Sequence, residues 1–91
     1  MPPAPVSAVN ESASRVTVLF DRDLAPGLLD AGNWTLDVGP ASTATAVLPR
    51  TVRLTHAAGA AAGWVTYSPP PFDVVSSEGA AAAGFSEFGV E

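Results

Sequence analysis

Short segments in which apolar residues recur at every second position are the feature that most constrains the fold of this chain. The run RVTVLF at positions 15–20 places two valines and a phenylalanine on one face and mostly polar residues on the other. This is the period of a half-buried strand. The predicted strands are Val6–Val9, Arg15–Phe20, Trp34–Val38, Ala44–Leu48, Thr51–Thr55, Trp64–Ser68 and a closing strand within residues 80–91. Turn signals between such short strands, about every ten residues, predict an all-β sandwich.

The longest interval between the early strands is predicted to be a corner. Its sequence DRDLAPGLLDAGN, residues 21–33, is broken by a proline and two glycines and cannot hold a long helix. Asp23 is predicted to cap a single turn there. Leu24, Leu28 and Leu29 are then expected to close one end of the core.

The alternation also separates inward from outward side chains. The two tryptophans differ in parity, because Trp34 shares its face with Leu36 whereas Trp64 lies opposite Val65. We expect Trp34 in the core and Trp64 outward, where it contacts a neighbour or a sugar or is covered by the loop HAAGAAAG. The candidate interaction surface consists of Trp64, Leu19 and Arg53. The predicted core consists of Val16, Val18, Phe20, Trp34, Leu36, Val52, Leu54, Val65, Tyr67 and Phe88.

Composition narrows the classes of function. The 91 residues suit a single domain, 1–91, and include no cysteine, which excludes disulfides and thiol chemistry. Nine acidic residues against four arginines give a net charge of −5, so we expect neither nucleic acid nor an anionic membrane as a partner. The N-terminus has no signal-like segment and starts with Met1, which favours a complete protein used without secretion over a segment of a longer secreted chain.

Few residues could carry chemistry. Asp21, Asp23 and Asp30 could share a Ca²⁺ ion. The 12-residue pattern of a calcium-binding loop, with its glycine and final glutamate, is missing, so roles at a strand end and in capping a turn are favoured. His56 is the single histidine and is predicted to be a loop residue on a solvated edge rather than part of a catalytic triad. We therefore expect no enzyme activity, no cofactor and no metal site.

Two further patterns are assigned no role in recognition. Asn10 and Asn33 open triplets that match the N-glycosylation pattern, which is short and common by chance. The triple proline Pro69–Pro71 is predicted to end a strand rather than to serve as a polyproline ligand.

Several short sequence motifs, spread over nearly the whole chain, resemble those of one family. Phe20-Asp21 ends an alternating strand, Asn33-Trp34 opens the next strand, and Tyr67-Ser68-Pro69-Pro70 leaves a later strand. This pattern resembles the bacterial immunoglobulin-like repeats of large surface and motility proteins, modules that also occur in phage virions. The resemblance implies an immunoglobulin-like β-sandwich of about seven short strands. The family's Asp-x-x-Gly-Asn phrase is replaced here by Asp73 and Glu78-Gly79, so no ion-binding role is carried over.

The resemblance and the composition together predict a non-catalytic structural or interaction module. We expect a structural or decorating component of a larger assembly such as a bacteriophage virion, located in the virion and bound to protein partners. One alternative is a spacer or adhesion repeat at a bacterial cell surface or in the extracellular space. The other is a carbohydrate-binding module that places Trp64 against surface glycans. A hydrophobic patch around Leu19 or Trp64 favours assembly, chain termini at opposite ends favour a spacer, and a shallow aromatic shelf favours glycan binding.

Overall fold

The chain folds into seven β-strands and one short 3-10 helix. A computed structural model describes residues 2–26, 29–47, 49–57, 59–69 and 74–91. The elements are β1 (Pro5–Ser12), β2 (Arg15–Phe20), the 3-10 helix (Ala31–Asn33), β3 (Trp34–Leu36), β4 (Gly39–Val47), β5 (Thr51–His56), β6 (Trp64–Tyr67) and β7 (Phe85–Gly89). The prediction of an all-β fold is confirmed. Met1, Gly27, Leu28, Leu48, Pro70, Pro71 and Asp73, which entered the sequence-based predictions, lie outside the described residues.

The strands form one antiparallel sheet that bends into two layers. Their order is β1-β2-β5-β4-β3-β6-β7. Strand β4 belongs to both layers, because Gly39 and Pro40 pair with β3 whereas the residues from Ala41 to Val47 pair with β5. An irregularity of register between Ala41 and Thr43 marks the change of partner, and such bulges bend the strand that contains them. The layer β1-β2-β5-β4 therefore faces the layer β3-β6-β7 across the core.

The outer edges of the two layers meet and nearly close the sheet into a barrel. The amide of Asn10 donates to the carbonyl of Glu91 at 2.8 Å, and the amide of Glu91 donates to the carbonyl of Ala8 at 2.8 Å. This alternation is the pattern of two parallel strands. The side chain of Asn10 adds bonds to the carbonyls of Ala62 and Glu91 and accepts one from the amide of Ala62. One asparagine thus joins β1, the C-terminal segment and the loop before β6.

The core lies between the layers and is lined by the inward residues of each strand. Trp34 is fully buried, and the centroid of its ring lies 4.7 Å from the ring centroid of Tyr67 and 5.9 Å from that of Phe85. The buried residues among the predicted core are Val16, Val18, Phe20, Trp34, Leu36, Val52, Leu54, Val65 and Tyr67. Phe88 is only partly buried against them. Ala8, Leu24, Ala44, Ala62, Val74 and Ala82 complete the core.

A bulge in β7 lets two phenylalanines three residues apart contact the same core. Val65 pairs with Phe88 and Tyr67 with Phe85, so β7 contains one residue more than β6 between these two pairs. Glu87, inside this interval, has a φ of 51°, a conformation that residues other than glycine rarely adopt. Its amide donates to the Thr66 hydroxyl at 2.9 Å. Strict alternation would have turned one of the two rings outward.

One local expectation, for His56, is wrong. His56 is the last residue of β5 rather than a solvated loop residue, and it is only 4% exposed. Its amide donates to the carbonyl of Ser14, which extends the pairing of β5 with β2 by one residue. The side chain of His56 therefore lies on the same inward side of β5 as that of Leu54. The turn that Asp23 is predicted to cap includes Gly27 and Leu28, which lie outside the described residues, and the carboxylate of Asp23 pairs with Arg50 at 2.9 Å. The 3-10 helix is capped by Asp30, which accepts a bond from the amide of Gly32 at 2.8 Å.

Strand boundaries differ from the predictions where partners are distant in sequence. Strand β1 runs over eight residues rather than four, and β4 begins five residues before the predicted Ala44. Strand β3 ends at Leu36, two residues earlier than expected. None of the helical segments in the described part of the chain has the length and apolar character required to cross a membrane.

Candidate interaction surface

The outward side of β2 and β5 forms a flat, mixed face. Paired residues place Arg15 beside Thr55, Thr17 beside Arg53 and Leu19 beside Thr51, and the residues between them are buried. Strand β1 extends this face, because outward Val9 pairs with Thr17. We call this surface the arginine face; it consists of Val9, Glu11, Arg15, Thr17, Leu19, Thr51, Arg53 and Thr55.

Apolar side chains lie exposed within the arginine face. Val9 is 42% and Leu19 41% exposed. Since Leu19 pairs with Ser7 and Val9 with Thr17, the two are diagonal neighbours on one side of the sheet, close enough for their side chains to form one patch. Val6, the residue at the register irregularity of β1, is 56% exposed. The large exposed apolar side chains of the described residues therefore concentrate on β1 and β2.

Polar contacts hold this face in place. The Nε atom of Arg53 lies 3.2 Å from a carboxylate oxygen of Glu11, and the hydroxyls of Thr43 and Thr55 are hydrogen-bonded across β4 and β5. An exposed ion pair of this kind adds about 0 to 1 kcal/mol of stability. It links β1 and β5 across the arginine face.

The structure brings Leu19 and Arg53 together but places Trp64 on the other layer. Trp64 opens β6 opposite Gly89, and it is half-buried while Val65 and Tyr67 are buried. Its outward neighbours come from β3, β7 and the turn after β3. We call this second surface the carboxylate face; it consists of Thr35, Asp37, Trp64, Thr66 and Glu87.

The three carboxylates considered for an ion site each contact a different partner. Asp21 accepts a bond from the amide of Ala4 at 2.9 Å, while Asp23 and Asp30 hold Arg50 and Gly32 as described above. Among the described residues, no three His, Cys, Asp or Glu side chains are grouped so that they could hold a metal ion. These aspartates act in turns and chain ends.

A depression at the corner between β2 and β3 is lined by residues with apolar side chains. They are Leu24, Ala25, Leu29, Ala46, Val52, Val74 and Val75. Leu24, Val52 and Val74 are also core residues, so this depression is continuous with the core.

Two structurally important residues were missed or misread from the sequence. Asn10 sits in a glycosylation-like triplet, yet its amide nitrogen is already engaged by two carbonyls. His56 is buried, and neither of its ring nitrogens has a hydrogen-bond partner among the described residues. The inward parity of Val52 and Leu54 would have placed His56 inside, had β5 been extended by one residue.

Comparison of the chain with protein-family models, with curated proteins and with solved structures gives no match. The interpretation of the two faces therefore depends on their own geometry and charge. The arginine face holds two of the four arginines in a chain of net charge −5, whereas the carboxylate face holds two acids, Asp37 and Glu87, and no cation.

Proposed function

We propose that this chain is a non-catalytic interaction module, a structural or decorating component of a larger assembly such as a bacteriophage virion. The observation that carries the proposal is the contiguous apolar patch of Val9 and Leu19 on the rigid arginine face. Proteins bind protein partners through such patches, in which an apolar centre is surrounded by polar groups. Arginine is also among the residues enriched at protein interfaces.

We further propose that the domain is an immunoglobulin-like β-sandwich. Seven-strand immunoglobulin domains divide their strands, lettered A to G along the chain, into the sheets A-B-E-D and C-F-G. The order β1-β2-β5-β4 followed by β3-β6-β7 has the same sequence of strands. The buried Trp34 on β3, the third strand, agrees with the tryptophan on strand C of that fold.

The rigidity of the arginine face supports a role in binding rather than in linking alone. Its residues lie on β1, β2 and β5, whose main chains are paired with one another, so little backbone order remains to be gained on binding. A face that is ordered before contact loses less conformational entropy than a loop would. Such a surface suits repeated contacts in an assembly.

One feature favours a spacer repeat as the second candidate. Glu91 runs parallel to β1 between Ala8 and Asn10, at the middle of that strand, while Ala4 lies beside Asp21 at its start. The first and last described segments therefore run in the same direction, an arrangement that suits domains joined in a row. Glycan binding has less support, because Trp64 is half-buried and Phe85 and Phe88 on the neighbouring strand pack inward.

Site-specific photo-crosslinking tests the proposed role of the arginine face. A photoreactive amino acid at position 19 is expected to form a protein crosslink in the native cell, with the partner and the attached residue identified by mass spectrometry. The matched control carries the same group at position 78, which is exposed in the turn before Gly79. Equal crosslinking from both positions, or none from position 19, would contradict a binding role for this face.

A further inference from the structure

The two outward faces of the domain carry opposite charge. The arginine face holds Arg15 and Arg53 against Glu11, whereas the carboxylate face holds Asp37 and Glu87. Arg15 and Glu87 are exposed, and neither forms an ion pair with another described residue. Each face therefore presents a charge that is available to a partner, and the signs are complementary.

Each face also offers apolar groups to a partner. The arginine face offers Val9 and Leu19, and the carboxylate face offers the outward edge of Trp64. Apolar contact at the centre with opposite charges around it is the usual composition of a protein interface.

We propose that a second copy of this chain binds here, with the arginine face of one molecule on the carboxylate face of the next. The inference rests on the proposed function and adds the identity of the partner. Because the two faces belong to opposite layers, they point in opposite directions. The contact is therefore heterologous, and it builds an open row of molecules rather than a closed dimer.

Sedimentation velocity of the wild-type protein gives the first test. At low salt the mean mass is expected to rise continuously with protein concentration, without a plateau at two molecules. Raising the ionic strength to about 0.5 M is expected to weaken association about tenfold or more, because the charges at the rim become screened. A protein that remains monomeric at low salt across the accessible concentrations would overturn the inference.

Two charge reversals test whether the two faces contact each other. Arg15→Glu damages the arginine face and leaves the carboxylate face intact, whereas Glu87→Arg does the reverse. Each variant alone is expected to be monomeric. Mixed in equal amounts they are expected to associate again, because one intact face of each kind remains and the reversed charges on the two damaged faces are also opposite in sign. A mixture that stays monomeric contradicts a heterologous contact.

Matched controls carry the same changes of charge away from both faces. Arg50→Glu lies in the turn between β4 and β5, and Glu78→Arg in the turn before Gly79. Both are expected to associate like the wild type. Arg50→Glu makes the net charge more negative and Glu78→Arg makes it less negative, so weaker association of the first together with stronger association of the second would attribute the effect to net charge and overturn the assignment of faces. If the wild type is monomeric but position 19 crosslinks to a different protein, self-association is refuted while the proposed function stands.

Discussion

Replacing Trp34 by alanine tests whether the core is built around its indole. The side chain is fully buried, and a tryptophan buries about 150–250 Å². At about 25 cal/mol per Å² this is worth about 4 to 6 kcal/mol. Alanine retains the β-carbon, and removal of the indole also removes the N–H group of Nε1, which is buried without a hydrogen-bond partner and costs about 1 kcal/mol or more. The loss of ring contacts with Tyr67 and Phe85 acts in the opposite direction.

The expected cost of Trp34→Ala is therefore about 3 to 5 kcal/mol, within the range of large core truncations. A domain of this size has a total stability of about 5 to 14 kcal/mol, so the variant is expected to be partly unfolded or close to it. Urea unfolding followed by far-ultraviolet circular dichroism measures the change. This probe does not depend on tryptophan fluorescence, which the substitution itself alters.

Trp64→Ala is the matched control, because the same side chain is removed from a half-buried position on β6. Its expected cost in the monomer is about 1 to 2 kcal/mol. Under the inferred association it should weaken binding between copies more than it weakens folding. Equal large losses of stability in the two variants, or a cost below about 1.5 kcal/mol for Trp34→Ala, would refute the assignment of inward and outward tryptophans.

Three further substitutions test individual features of the fold in the same unfolding assay. Asn10→Asp removes both donated bonds of the side chain and is expected to lower the free energy of unfolding by about 2 to 3 kcal/mol. The main-chain amide of Glu91 should then exchange its hydrogen faster. Unchanged exchange would mean that the Asn10 side chain does not hold Glu91 against β1. Glu87→Gly relieves a left-handed conformation and is expected to stabilise the monomer by about 0.5 to 1 kcal/mol, whereas Glu87→Ala, which keeps that conformation strained, should give no gain. His56→Leu removes two unpaired ring nitrogens from the core and should be neutral or stabilising by about 1 kcal/mol; a loss above about 2 kcal/mol would show that the imidazole makes a necessary polar contact.

Local periodicity predicted the strands whose two faces differ most. In β2 the alternation of Val16, Thr17 and Val18 follows directly from the sequence, and the same holds for Trp34 and Leu36 in β3. The long β4 was predicted only in part, because its first two residues, Gly39 and Pro40, pair with β3 rather than β5. These two residues are strand because of their tertiary partner rather than their own propensity.

The features missed at the level of single residues depend on contacts far apart in the chain. Asn10 bonds to Ala62 and Glu91, which lie 52 and 81 residues away, and no local pattern encodes such a partner. The bulge at Glu87 likewise depends on the register of β7 against β6. Parity indicated that Leu19 and Trp64 face outward, but only the pairing of strands places them on opposite layers.

The same long-range contacts limit how this domain can meet a partner. A sheet with open edges can add a strand from another chain, but here β1 is joined to Glu91 by two main-chain bonds. Prolines at positions 2, 3 and 5 precede or begin β1 and cannot donate to an added strand. The bulge at Glu87 interrupts the regular spacing of β7. Both edges are therefore unsuited to the addition of a strand, which agrees with the proposal that a protein partner binds the outward faces, where the exposed apolar groups and the opposite charges are found.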